Sequence, residues 1–228
     1  GPPDQPGGGT VDWTNPWGEF KYIDDIEARE DGGTPGFLQA IKTSLALELK
    51  NKMGTKNIEA REKHLTRKAF EVLPNVPGLN ILADNVMDRL GVISFYFDHI
   101  HFNLAVKLLN DVYGIQVRGG CACAGTYGHY LLDVTYDKSH EITSLISSGD
   151  LSLKPGWVRL SLHPTMTDDE LDFTLRAIKD VAVNFQKWTG DYIYNNKTNE
   201  FRHKSEPEDK SELIKDWFLL EEMQKLTV

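Results

Sequence analysis

The chain holds two cysteines, Cys121 and Cys123, both in the segment Arg118–Gly119–Gly120–Cys121–Ala122–Cys123–Ala124–Gly125. Glycines let a backbone approach closely and move, and a neighbouring guanidinium favours thiolate over thiol. A nucleophilic cysteine on an electropositive loop is one use of this pattern, and a pair of inert structural thiols is the other. The spacing is not C-x-x-C, so a thioredoxin-like or zinc-ribbon reading is poor. A bridge across so short a loop is strained, and two cysteines make no disulfide framework. Free thiols in a reducing cytoplasm are the expectation.

Arg159 stands among apolar residues in Trp157–Val158–Arg159–Leu160–Ser161–Leu162. An arginine alternating into such a strand either faces solvent at a sheet edge or meets a carboxylate that its fork can grip with two bonds. The segment Gly32–Gly33–Thr34–Pro35 precedes an apolar run of helical spacing. Thr34 is expected to cap that helix, with Pro35 at its first position. Amides and a hydroxyl at a helix start also favour an anion, so a plain cap and a phosphate cradle are both compatible with these residues. His99 and His101 have no acid or thiol beside them at a metal-binding spacing and read as structural. His129 is a weaker acid–base candidate.

The elements that must position these residues follow from periodicity. Residues 1–33 are expected to be mostly irregular, with 12–17 a loop. Phe37, Leu38, Ile41, Leu45 and Leu49 predict a helix that Gly54 ends. A second helix, about 57–73, is expected to bury Ile58, Leu65, Ala69 and Val72. Strands are predicted at 79–83, 92–97, 115–117 and 157–162, and helices at 102–113 and 140–147. Thr167 to Glu170 reads as a capping box, followed by the stripe Leu171, Leu175, Ile178, Ala182 and Phe185. Strands and helices alternate from 78 to 190, which predicts a compact α/β domain with 92–97 as a central strand. A hairpin around 192–201 and a helix at about 211–226 complete the expectation.

Bulk properties exclude some partners. A net charge of −9 argues against nucleic acid, whose phosphates call for clustered Lys and Arg. No apolar run approaches the ~20 residues of a membrane-spanning helix, so no membrane is expected. The Pro/Gly-rich start, residues 1–9, has no basic and apolar regions of a signal peptide. A redox or metal module built on the cysteine pair is the reading from a different class, and metal analysis of the purified chain distinguishes it.

Taken in order, three segments resemble one family. Gly7–Gly8–Gly9–Thr10–Val11 with Arg29–Glu30–Asp31–Gly32–Gly33–Thr34–Pro35 is similar to the G-G-G and R-x-E-x-G-T-P region of class V aminotransferases and cysteine desulfurases, with one extra residue before Gly–Thr–Pro. Gly114 to Cys123 resembles their G-I-x-V-R-x-G-x-x-C segment, and Arg159–Leu160–Ser161 their R-x-S block. Cys121–Ala122 replaces the His–His of many desulfurases, a pattern closer to molybdenum-cofactor sulfurases. The resemblance implies the C-terminal part of a fold-type-I enzyme dependent on pyridoxal 5'-phosphate. Residues 1–75 would be the end of its large domain, 76–190 its small α/β domain and 191–228 an extension.

The same resemblance implies roles. Thr34, with Gly33, would bind the cofactor phosphate of the neighbouring protomer of a homodimer. Arg159 would hold the carboxylate of an amino-acid substrate, with Arg118 beside the site. Cys123 would attack the substrate sulfur and carry it as a persulfide towards a sulfur-acceptor protein. Aminotransferase, epimerase or other lyase chemistry of the same fold is the alternative. The family's cofactor-bearing lysine lies upstream of the G-G-G block, so this chain by itself is expected to be an inactive fragment.

Overall fold

The structure, a computed structural model, describes residues 1–207 and 211–214. The chain divides into two compact units, Gly1–Asn57 and Ile58–Val228.

In the first unit, β1 (Val11–Thr14) pairs antiparallel with β2 (Phe20–Tyr22). The predicted loop over 12–17 is therefore strand as far as Thr14. Asn15 builds the turn that follows: its Oδ1 accepts from the N–H groups of Trp17 and Glu19. Asp25 caps α1 (Ile26–Glu30) by accepting from the Ala28 N–H. Next comes α2 (Phe37–Met53), closed by Gly54 at φ +82°. Thr34 does not cap it. The helix starts two residues later than expected, with Gly36 at the N-cap and no side-chain cap. The helix buries none of its residues; Phe37, Leu38, Ile41, Leu45 and Leu49 are all exposed.

The helix α3 (Thr55–Val72) opens the second unit and buries Leu65, Thr66 and Ala69, with Ile58 half-buried. Val72, expected inside, is exposed. A 3-10 turn over Leu73–Asn75 tightens the chain at Pro74 and sends Leu73 into the core instead. Next come β3 (Leu79–Ile81), β4 (Val92–Phe97), α4 (Phe102–Tyr113), β5 (Arg118–Gly120), α5 (Gly125–Leu131), α6 (Tyr136–Ser147), β6 (Trp157–Ser161) and α7 (Asp168–Asn184). After a short α8 (Gln186–Thr189), β7 (Tyr192–Asn195) and β8 (Glu200–His203) form the expected hairpin. The predicted C-terminal helix is represented by α9 (Ser211–Ile214); the rest of it lies outside the described residues.

The central sheet has the order β3-β4-β6-β5, with every pair antiparallel and β4 inside as predicted. One face is dry. Ile93, Phe95, Val158 and Leu160 point into a core shared with Leu104 and Leu108 of α4 and with Leu171, Leu175 and Ile178 of α7. Each such side chain, fully buried, contributes about 1.5–3 kcal/mol. At the start of α7, Thr167 and Glu170 form the reciprocal capping box that the sequence predicts. Asp168 then ties this helix to α3 through Arg61, His64 and Lys68.

Three more elements, β5, α5 and α6, depart from expectation. The strand predicted at 115–117 lies three residues later, at Arg118–Gly120. Gly114, in the left-handed region at φ +68°, closes α4, and Ile115 donates its N–H back to the Leu109 carbonyl. Residues 114–115 are thus spent on ending a helix. The second departure is α5, a helix in a segment whose glycines disguise it, and α6 begins at Tyr136 under a Thr135 cap rather than at residue 140.

Candidate active site

Sheet register decides where the arginines stand. Arg159 is the direct cross-strand partner of Ser94 on one side and of Arg118 on the other. Residues opposed in this way share a face. Val158 and Leu160 face the dry core, so Ser94, Arg159 and Arg118 lie on the opposite, more open face. Arg118 is exposed and Arg159 half-buried, and the Arg159 Nε is buried without a hydrogen-bond partner. Among the described residues neither guanidinium has an ion pair. Two cations side by side with no acid between them form a ready anion site, and the fork geometry of arginine suits a carboxylate.

Gly119, next to Arg118 on β5 and opposite Val158, explains how β5 reaches this register. A Cβ there would come within 2.8 Å of Asn103 Oδ1 and 3.0 Å of Val106 Cγ2, both on α4. A larger residue there would have to push these side chains aside for the strand to lie against that helix.

β5 runs from Arg118, beside Arg159, to Gly120, beside Trp157. The cysteines follow at once. Ala124 donates its N–H to the Cys121 carbonyl at 3.0 Å, closing a turn in which Ala122 and Cys123 have φ of +52° and +58°. Two successive left-handed positions are those of a type I′ turn, where Gly, Asn or Asp is favoured. Each L-residue placed there costs about 1–2 kcal/mol. Cys123 at the turn is exposed, Cys121 is half-buried, and both are free thiols. The turn is anchored from behind by α5, where a Cβ on Gly128 would lie 3.2 Å from the Trp157 ring. His129 of α5 is engaged at both nitrogens, with the Gly125 carbonyl at 2.8 Å and Ser139 Oγ at 2.9 Å. The predicted acid–base candidate thus has a structural anchor on each side. His101 is the N-cap of α4, accepting from the Asn103 N–H.

Gly33 and Thr34 belong to the first unit. There the two glycine-rich segments meet through backbone. Gly33 donates its N–H to the Gly8 carbonyl at 2.8 Å, and a Cβ on Gly9 would sit 2.9 Å from the Gly33 nitrogen. Thr10 closes the first segment by bonding Gly7 at both its N–H and its carbonyl. Gly33 itself lies at φ +86° and Thr34 is exposed, just ahead of the uncapped first turn of α2.

The paired register of Arg118 with Arg159, the place of Ser94 beside them and the strained turn escaped the sequence reading. The period-2 alternation of β4 carries a signal for Ser94, since it falls on the face opposite Ile93 and Phe95. No residue pattern signals two left-handed positions at Ala–Cys.

Known proteins resemble the chain in sequence and in fold. The family model described as aminotransferase class-V matches residues 2–173. A cysteine desulfurase of Haloferax volcanii is 27% identical over 100 residues, covering 44% of this chain and 23% of that protein. A probable cysteine desulfurase of Staphylococcus epidermidis is 34% identical over 100 residues, covering 44% of this chain and 24% of that protein. The chain spans about a quarter of the length of these curated relatives. Among solved structures, apo cysteine desulfurase from Thermococcus onnurineus superposes with a TM-score of 0.57 at 22% identity, over 79% of this chain and 39% of that one. The cysteine desulfurase CsdA of Escherichia coli, in an S-sulfonic acid form, gives 0.54 at 23% identity, over 79% and 38%. At these identities the likeness shows the fold, the mixed α/β arrangement expected from the sequence.

Proposed function

From a chain that belongs to the aminotransferase class-V family, we infer the C-terminal part of a pyridoxal-phosphate-dependent enzyme that moves sulfur from cysteine onto its own Cys123. Residues 1–75 are then the end of the large domain, 76–190 the small domain and 191–228 an extension. The observation that carries the reading is the opposed pair Arg118 and Arg159, free of acids, on the strand pair that leads directly into the cysteine turn.

The residues present fit the phosphate end of the cofactor. Thr34 offers an exposed hydroxyl beside Gly33, and the amides of the first turn of α2 lack a side-chain cap. Bound pyridoxal phosphate supplies an electron sink for bonds at the amino acid's α-carbon. Arg159 holds the substrate carboxylate, with its half-buried position limiting competition from water, and Arg118 adds a second positive charge. The Cys123 thiolate would attack the substrate Sγ as the substrate Cβ–Sγ bond breaks. That bonding pair stays with the carbon fragment, which takes up a proton and leaves as alanine, and a sulfur-acceptor protein takes the outer sulfur from the resulting Cys123 persulfide. The working enzyme is a cytoplasmic homodimer in this reading, with Thr34 serving the partner's cofactor. Among the described residues no helix is long and apolar enough to cross a membrane.

The test uses the full-length protein with two ligands that differ only in a carboxylate, cysteine and cysteamine. Arg159→Ala should weaken cysteine binding by roughly 2–4 kcal/mol, the scale of truncating one partner of a buried charged pair. Cysteamine binding should hardly change. Equal losses for both ligands, or none, would remove Arg159 from the substrate site.

A further inference from the structure

We propose that Cys121 and Cys123 act as a redox pair, in which Cys121 resolves a persulfide on Cys123 and releases the sulfur as hydrosulfide. The proposal rests on the sulfur-transfer reading above and assigns Cys121 a role that the reading leaves open. The turn places the two thiols one residue apart, with Cys123 exposed, Cys121 half-buried and the Ala124 N–H fastened to the Cys121 carbonyl. With Ala122 and Cys123 both in the left-handed helical region, Cα atoms two residues apart lie about 5.5 Å from one another, the spacing of any helical turn. That lies inside the ~4.4–6.8 Å Cα window of a disulfide, but residues two apart on a helical turn do not face each other, so the bridge closes only as the turn rearranges. A ring closed over one intervening residue is strained, and strained or exposed disulfides are the readily reduced, catalytic kind.

The step balances without an external oxidant. The Cys121 thiolate attacks the Cys123 Sγ, the persulfide S–S bond breaks, and its outer sulfur departs with the bonding pair as hydrosulfide. A Cys121–Cys123 disulfide forms in the same event. The sulfane sulfur is reduced by two electrons and the two thiols are oxidised by two. A small dithiol, the co-reactant of this cycle, then reduces the bridge and restores both thiols. Sulfur would thus leave as free sulfide when no acceptor protein is engaged.

The 228-residue chain can be tested directly, with inorganic polysulfide supplying the sulfane sulfur so that no cofactor chemistry is required. After brief loading and removal of excess reagent, free thiols are alkylated and the chain is digested with trypsin. Both cysteines fall in segment 119–138, which has no lysine or arginine before its last residue. In the wild-type chain this segment should resist alkylation, be about 2 Da lighter than the dithiol form and regain two alkylatable thiols after dithiol treatment. Sulfide should appear in step with that change. Cys121→Ala and Cys121→Ser should instead keep the sulfane sulfur on Cys123, about 32 Da heavier, and release little sulfide. A wild-type persulfide that lasts as long as the Cys121→Ala one overturns the proposal, as does a disulfide only between two chains. Neither result touches the cofactor-dependent reading, which is tested by turnover of the full-length protein.

Discussion

Arg118 and Arg159 face each other across β5 and β6, and like charges directly opposed on a sheet destabilise it by about 0.2–1 kcal/mol. A fold with no use for an anion at this place has a simple remedy, one neutral residue. Arg118→Gln should therefore raise stability by several tenths of a kcal/mol at low ionic strength, and the gain should fade in high salt as the repulsion is screened. Thermal melts of both chains at two salt concentrations measure this. A gain independent of salt would place the cause in packing rather than charge. The strained positions at Ala122 and Cys123 tell the same story at the next residues. Local strain persists where something else over-determines it, and such sites are often functional.

Among the elements, α7 and α4 present their bonding most openly in the sequence, and both make measurable commitments. The capping box of α7 has the Thr167 Oγ accepting from the Glu170 N–H while Glu170 accepts from the Thr167 N–H. Thr167→Ala should cost about 1 kcal/mol in denaturant unfolding. A change within error would mean that Asp168 and its three partners on α3 hold the helix start alone. For α4, the cap is a histidine whose Nδ1 must be unprotonated to accept from Asn103, and whose ring lies against Phe102, Tyr194 and Phe201. Burial pushes the His101 pKa down, and an interaction with Asn199 offsets this in part. A histidine with a lowered folded pKa binds protons less readily than in the unfolded chain. Its contribution is intact above the unfolded value of about 6.5 and is lost as pH falls from there towards the folded value. His101→Asn keeps a cap acceptor without titrating, so the decline in stability as pH falls below about 6.5 should flatten. The Asp168 carboxyl, held far below its usual range mainly by His64 and then Arg61, loses its contribution only below about pH 4, so the two effects separate. An unchanged slope in His101→Asn would contradict the cap assignment.

At the scale of the whole molecule, the parts legible in the sequence are those whose signals are local. The helix at 102–113 was placed as α4, the apolar, β-branched and aromatic run at 92–97 marked the inner strand, and Thr167 with Glu170 marked the start of α7. What escaped depends on contacts distant in sequence. β5 sits at 118–120 because Gly119 fits under α4, and α5 holds its place because Gly128 fits over Trp157. The candidate site divides in the same way. Its residue types and order were readable, but the opposition of Arg118 and Arg159 needed the sheet register. The apolar residues of α2 follow the helical spacing that predicted the helix, and they are exposed. The central claim is that Cys123 accepts sulfur from cysteine in the full-length, cofactor-loaded enzyme. Sulfide release from cysteine in the presence of a dithiol, compared between wild type and Cys123→Ala, tests it most directly. The account predicts that the variant loses turnover while it still binds cysteine. Full turnover by Cys123→Ala would contradict it, and would point instead to aminotransferase or epimerase chemistry with Cys123 as a bystander.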